Sequence, residues 1–439
     1  MTNNLPSVLI ISAVNPMHSA GTVAMNFYMA LKKAGYDVDF LTKCKVKGHP
    51  EFDYIYDLTH WPNYIKYLLE KRSFRRSTAK RKAIPQIGNH VFDYGYEDDA
   101  PVPVELILNH IMKQYDVVYI VFWSQFISYS TIEAIYNKLH CQIHLRCVDN
   151  QPVTGGCHFI NGCQRLSVGC GYCPGLIDGG ENDFTHYNIE YRKKVFAEVR
   201  PIVYGNTHMQ LIYRQSELLR TYNRLETVYP LVDNGHFYDI DKKKARQVLN
   251  MPRDKKFILF FGATLLTEER KGMKYLLEAL NLFYNKLEEE QRRGVLVVIA
   301  GYNADEIRKH IKFDVKIVGF VSLEQLPLYY AMANVYLSPS IDDAGPSMVN
   351  QSLSCGTPVV AFNIGTALDM IQGENTGYCA QLRDTDDFAN GIISIYNSAP
   401  DKYKEMCVEC RRIAVERTSD EAFAKDFLRI YKKYQNAER

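Results

Sequence analysis

Residues 338–360 read SPSIDDAGPSMVNQSLSCGTPVV, and their types and spacing suit them to hold an anion. A strand is expected to end at Ser340, followed by a short loop and a helix from Pro346. Gly345 permits close backbone approach, and proline fits the first helical position. Because Pro346 lacks an N–H, the unpaired donors of the first turn belong to Ser347, Met348 and Val349. A helix start at the carboxyl edge of a parallel sheet suits a phosphate or diphosphate. Asp343 stands just before it. Gln351 lies one turn beyond Ser347 on the same face, within reach of the same ligand. The plain alternative is an ordinary strand-to-helix turn, in which Gly and Pro are common.

A second group lies in residues 149–176, DNQPVTGGCHFINGCQRLSVGCGYCPGL. Cys157, Cys163, Cys170 and Cys173 are separated by five, six and two residues. The last pair has the spacing of a metal knuckle, and four thiolates complete a tetrahedral zinc shell, with His158 as a spare ligand. The other reading is four reduced cysteines packed as small hydrophobes in a glycine-rich loop. Asp149, at the end of a strand, either orients an acceptor or a sugar or serves the turn. Cys407 and Cys410 sit in a helical pattern, where such a pair is incidental.

A third group is WPNYIKYLLEKRSFRRSTAKRKAIP, residues 61–85, in which eight Lys or Arg face one acid, Glu70. Tyr64, Ile65, Tyr67, Leu68, Leu69 and Phe74 make the stretch partly amphipathic. It is either a segment that lies on an anionic membrane surface or a solvated insertion. No nucleic-acid motif accompanies the charge.

The elements that must position these residues follow from the apolar rhythm. Short apolar runs at 7–14, 37–42, 116–122 and 142–148 alternate with helical patterns at 22–33 and 129–139. The rhythm restarts after Asn250. Strands are expected at 256–262, 294–301, 315–320, 335–340 and 358–363, with helices at 272–288, 322–333 and 346–355. The result is an α/β chain of two doubly wound, Rossmann-like domains. Ligands bind in the cleft at the carboxyl ends of such sheets. The domains are placed at 1–235 and 236–418, with a closing helix from 419 to 439.

With 439 residues, of which 46% are hydrophobic and 23% charged, the chain has the composition of a globular protein. Lys plus Arg is 52 against 50 Asp plus Glu, which argues against a dedicated nucleic-acid binder. No apolar run is long enough to span a bilayer. The first residues read as a core strand rather than a signal peptide, and an odd count of 11 cysteines fits a reducing cytoplasm.

The string ending Cys355-Gly356-Thr357-Pro358-Val359-Val360 resembles the signature of retaining GT-B glycosyltransferases, family 4. In that signature an acidic residue precedes a Glu by eight positions. Here those positions are Asp343 and Gln351, so an amide replaces the usual ribose-binding carboxylate. Residues 257–262 followed by Glu268-Glu269-Arg270-Lys271-Gly272 are similar to the family's basic diphosphate loop. Residues 315–320 are similar to its nucleobase strand, Ser19–Gly21 to its first glycine loop, and the closing helix to the one that crosses back to the first domain. A subset of the family carries a comparable TGGCH…CGxCP element.

The resemblance implies that Lys271 and Arg270 neutralise the donor diphosphate as it leaves. It implies that Asp343 contacts hydroxyls of the transferred sugar. Gly345, Ser347, Met348 and Val349 then hold phosphate and sugar, with Gln351 at the ribose and Gly21 facing the donor. The base lies near Val318 and Phe320. The implied activity is hexosyl transfer from a UDP- or GDP-sugar to a glycan or lipid-linked glycan, with retention and without a catalytic metal. Surface polysaccharide assembly on the cytoplasmic side of a membrane is the expected setting. The rivals are a non-catalytic nucleotide-sugar-binding scaffold and a nucleotide-sugar epimerase.

Overall fold

The computed structural model describes residues 5–13, 15, 21–80, 95–177 and 179–435, with the backbone alone at 75–80. Ser19 and Ala20 of the expected glycine loop, and residues 81–85 of the basic segment, lie outside the described residues.

Continuously apolar stretches form strands buried on both faces, as parallel sheets require. The first sheet has the order β3-β2-β1-β4-β5-β6-β7. Its strands are β1 Val8–Ser12, β2 Val38–Cys44, β3 Asp53–Tyr56, β4 Val117–Val121, β5 Gln142–Arg146, β6 Ile202–Gly205 and β7 Leu225–Thr227. Every pairing is parallel. β1, β4 and β5 are buried along their whole length.

The second sheet has the order β10-β9-β8-β11-β12-β13 and is also parallel throughout. Its strands are β8 Phe257–Leu265, β9 Val295–Tyr302, β10 Asp314–Gly319, β11 Val335–Ser338, β12 Val359–Phe362 and β13 Gly377–Ala380. The helices that cover it include Met273–Asn285, which buries Leu276, Ala279, Leu280 and Phe283. The chain thus has two parallel-sheet, Rossmann-like α/β domains. In both sheets the strand order reverses at the first strand of the unit, between β1 and β4 and between β8 and β11.

Two compact units result. One comprises residues up to Gly205, Met209–Val228 and Phe423 onward. The other comprises Asn206–His208 and Tyr229–Ala422. The divisions fall at 228/229 and 422/423, a few residues from the expected 235/236 and 418/419, and the excursion at 206–208 has no sequence signal. Among the described residues no helix is long and apolar enough to cross a membrane.

The helix Asp420–Gln435 turns Phe423, Phe427, Ile430, Tyr431 and Tyr434 inward. Phe423 stacks on Phe27 with ring centroids 4.8 Å apart, and Phe427 meets Tyr36 edge-on at 5.6 Å. Beneath it, His144 of β5 is wholly buried. Its Nδ1 lies 2.7 Å from the Tyr204 hydroxyl and its Nε2 lies 3.0 Å from Gln142 Oε1. Gln142 in turn donates to the Tyr431 carbonyl at 3.2 Å.

Burial, with Arg224 nearby, holds the His144 pKa down at about 3. Below pH 6.5 the unfolded chain binds a proton that the folded chain refuses, so stability is lost as pH falls from 6.5 toward 3. Urea denaturation followed by far-UV circular dichroism should therefore give a lower midpoint at pH 5 than at pH 7.5, with the His144 ring still neutral by NMR at pH 5.

Candidate functional site

Ligands of doubly wound sheets bind outside the carboxyl ends of the strands where the order reverses. In the second unit that place lies between β8 and β11, so the loops following these two strands build the site. They are locked together through the backbone. Gly272 has φ +70°, and a Cβ there would stand 1.8 Å from the Pro339 carbonyl oxygen. Ile341 N–H donates to the Arg270 carbonyl at 2.8 Å. Only glycine allows both the left-handed turn and the close approach.

This join brings Arg270 and Lys271 to Asp343. Lys271 Nζ lies 2.8 Å from Asp343 Oδ2, and an Arg270 terminal nitrogen lies 3.4 Å from the same oxygen. Arg270 also pairs with Glu268 at 2.6 Å. The other oxygen, Asp343 Oδ1, accepts the Gly345 amide at 3.1 Å. Two cations and one amide therefore hold one carboxylate at the mouth of the helix Ser347–Ser354.

That helix has Pro346 at its N-cap and no side chain capping it. One expected donor is spent: the Val349 amide bonds to the Pro346 carbonyl at 3.1 Å, and the Val349 side chain is buried in the core. The Ser347 and Met348 amides have no acceptor among the described residues. Gln351 is also committed differently from expectation. Its Oε1 accepts the hydroxyl of the buried Tyr330 at 2.9 Å, so what it offers a ligand is chiefly its amide donor.

Sequence reasoning missed the segment Asn206–His208. Asn206 Nδ2 donates to the Ala344 carbonyl, and Thr207 donates to Asp369 through its amide at 3.1 Å and its hydroxyl. His208 is half-buried and feels the Asp343 carboxylate. Burial draws its pKa below the ordinary value, and the Asp343 charge works the other way. Nothing in the residues around 206 marks them as partners of a loop more than a hundred positions later.

At the ends of β9 and β10, Tyr302 and Phe320 stack with centroids 5.8 Å apart and planes inclined by 15°. They are 52% and 59% exposed, which gives the unit an aromatic surface beside the expected nucleobase strand. Phe320 was expected there and Tyr302 was not. Val318 is partly buried against the core.

In the first unit, Gly21 opens the helix Gly21–Lys33. Asp149 follows β5 and serves the turn after it. Its Oδ1 accepts the Gln151 amide at 2.8 Å, and its Oδ2 lies 2.7 Å from His158 Nδ1. The loop is anchored by the buried Arg192, which donates to the Gln151 and Thr154 carbonyls and pairs with Glu97. All four cysteines of this loop are free thiols. Cys157 and Cys173 pack on Leu176 and Phe184, and Cys163 Sγ accepts the Arg165 amide at 3.4 Å. Burial pushes the Cys170 and Cys173 thiols up to about 11. Among the described residues no group of three or more His, Cys, Asp or Glu is placed to hold a metal ion.

Residues 241–436 match the family model of glycosyl transferases group 1. A D-inositol 3-phosphate glycosyltransferase from Catenulispora acidiphila is 26% identical over 198 residues, which cover 42% of this chain and 46% of that one. The chain thus spans about half the length of that relative. Among solved structures, sucrose-phosphate synthase from Thermosynechococcus elongatus superposes with a TM-score of 0.65 at 17% identity, covering 99% of this chain and 100% of that one. Anabaena HepE, solved with UDP and glucose, gives 0.59 at 12% identity, covering 98% and 100%. These likenesses show the GT-B fold.

Replacing Gly272 by Ala forces a Cβ onto the Pro339 carbonyl and strains the left-handed turn. The expected loss is about 1–3 kcal/mol or more, measured by equilibrium denaturation. Lys274→Ala, on the helix that follows, should change stability by less than about 0.5 kcal/mol.

Proposed function

We propose that this protein is a retaining glycosyltransferase that moves a hexosyl group from a UDP- or GDP-sugar to a hydroxyl of a glycan or lipid-linked glycan. The observation that carries this reading is the convergence of Arg270 and Lys271 on Asp343, beside the open amides of Ser347 and Met348. The Asp343 carboxylate keeps the two cations in place. A donor diphosphate brings about two negative charges, which exchange for that carboxylate as the partner of Arg270 and Lys271. Asp343 is then free to accept hydrogen bonds from sugar hydroxyls. As the glycosidic bond breaks, charge grows on the departing diphosphate, and preorganised cations and amides stabilise it there.

Support for the donor class comes from HepE, which was solved with UDP, and from the family match over the second unit. The exposed Tyr302–Phe320 pair offers a stacking surface for the base. On the first unit, the Asp149–His158 pair is the candidate for binding the acceptor or the transferred sugar. Its carboxylate fixes the imidazole, as an orienting group does in many sites. Because no protein nucleophile is assigned, retention is explained by same-face attack, with the departing diphosphate taking the acceptor proton. Assembly of a surface polysaccharide is the setting that this acceptor class fits.

Lys271→Ala should lower the transfer rate by on the order of 10²-fold, because it removes a donor to the leaving group. Asp343→Asn should depress kcat more than it weakens binding of the free nucleotide. Both are checked with radiolabelled UDP- and GDP-sugars and mixed glycan acceptors. Unchanged turnover in Lys271→Ala would contradict the assignment. Sugar isomerisation without acceptor would identify an epimerase instead.

A further inference from the structure

A carboxylate that surrenders two cations to a ligand needs another partner, and the segment Asn206–His208 supplies one. It belongs to the second unit and is pinned to the loop that carries Asp343. Asn206 Nδ2 donates to the Ala344 carbonyl, and a Cβ on Gly345 would stand 3.1 Å from that nitrogen. The Thr207 amide donates to Asp369 Oδ2 at 3.1 Å, and its hydroxyl donates to Oδ1. Arg417 holds the same stretch by donating to the Asp369 carbonyl. His208 comes next. Its ring is half-buried, and among the described residues neither ring nitrogen has a hydrogen-bond partner.

The charged groups around this ring are accounted for. Asp343 acts on it directly, and Arg270 and Lys271 hold that same carboxylate. Asp369 is taken up by Thr207. With both cations in place the Asp343 charge is balanced, and burial draws the His208 pKa below its ordinary value. The imidazole is therefore mainly neutral at about pH 7. A bound diphosphate changes the balance. It takes Arg270 and Lys271, and it leaves Asp343, whose side chain is only 14% exposed, without a cation and beside new negative charge. Such a place draws in a proton. A carboxylate ordinarily titrates near ~4 and an imidazole near ~6.5, so the imidazole accepts that proton first.

We propose that His208 is a positioning residue that becomes the partner of Asp343 when the donor arrives. The imidazole gains one proton from solvent as the diphosphate gains Arg270 and Lys271, and the proton returns to solvent when the nucleotide leaves. The imidazolium keeps Asp343 ionised, so both carboxylate oxygens stay acceptors for sugar hydroxyls. This role rests on the donor-binding reading given above. Because one proton accompanies the donor, donor binding weakens as pH rises above neutrality.

The test is calorimetric titration of the intact protein with UDP and with GDP at about pH 7, in buffers of low and high ionisation enthalpy, with histidine-ring NMR of the same complexes. The terminal phosphate of a free nucleotide also titrates near neutrality, so proton uptake is read as the difference between wild type and His208→Gln. The wild type should take up roughly half to one proton more per nucleotide bound. One histidine ring should turn from neutral to imidazolium, a signal missing from His208→Gln and still neutral in Asp343→Asn. In the transfer reaction, His208→Gln should lower kcat on the order of tenfold and flatten the alkaline fall of kcat/KM for the donor. Nucleotide binding with equal proton uptake in wild type and His208→Gln, or with no ring changing its charge, would overturn the role of His208 and leave the donor site standing. An imidazolium that persists in Asp343→Asn would overturn it too, by assigning the proton to the diphosphate alone. Failure of both nucleotides to bind would overturn the donor reading, and this role with it.

Discussion

The contact on which the site depends is the one between the backbone at Gly272 and the carbonyl of Pro339. Its 1.8 Å clearance for a side chain leaves room for a hydrogen atom alone. Together with the Ile341–Arg270 hydrogen bond, it fixes the loop after β8 against the loop after β11. Two cations adjacent in sequence would otherwise be long, mobile side chains on a surface turn. Here they are held to one carboxylate, which is itself held by the Gly345 amide. Charges preorganised in this way stabilise a leaving group without reorganising during the reaction. The parallel order of the second sheet supplies the place, and the glycine supplies the proximity.

The first unit uses a different device for a similar end. A long glycine-rich loop has few apolar side chains to bury, so it needs polar anchors. Arg192 provides them, reaching the carbonyls of Gln151 and Thr154 while its charge is met by Glu97 and the face of Tyr129. Asn188 adds a bond to the Gly155 carbonyl at 3.0 Å. The buried guanidinium thereby ties both carbonyls of the loop to one carboxylate on a neighbouring segment. The consequence for function is that Asp149 and His158 sit on a loop whose geometry is set from below.

Much of the fold was legible because its strands are apolar runs bounded by Gly, Pro and Asn. β1, β4, β5, β8, β9 and β11 fall where the rhythm puts them. The helix Phe184–Val199 was not legible: its buried face includes Thr185, Asn188 and Arg192, which read as surface residues. The short strands β3, β6, β7 and β13 were not legible: β3, β7 and β13 include exposed or half-buried residues, so they lack the continuous apolar run that marks the equally short β11 and β12. At the site, Arg270 and Lys271 were implied by the family resemblance alone, whereas Asp343 and the helix expected from Pro346 could be read from local types and spacing. Tyr330 under Gln351, Asn206 on Ala344, and Tyr302 beside Phe320 could not, because each partnership is made by tertiary packing between distant positions. The Val349 amide was misassigned because its use depends on the turn that Pro346 adopts.

The central claim, that the second unit binds a nucleoside diphosphate through Arg270, Lys271 and the start of the helix Ser347–Ser354, is tested most directly by calorimetric titration of the intact protein with UDP and with GDP. The account predicts saturable binding of at least one of them, weakened by rising salt and by loss of the Lys271 charge. Absence of measurable affinity for both, or binding indifferent to Lys271, would contradict it.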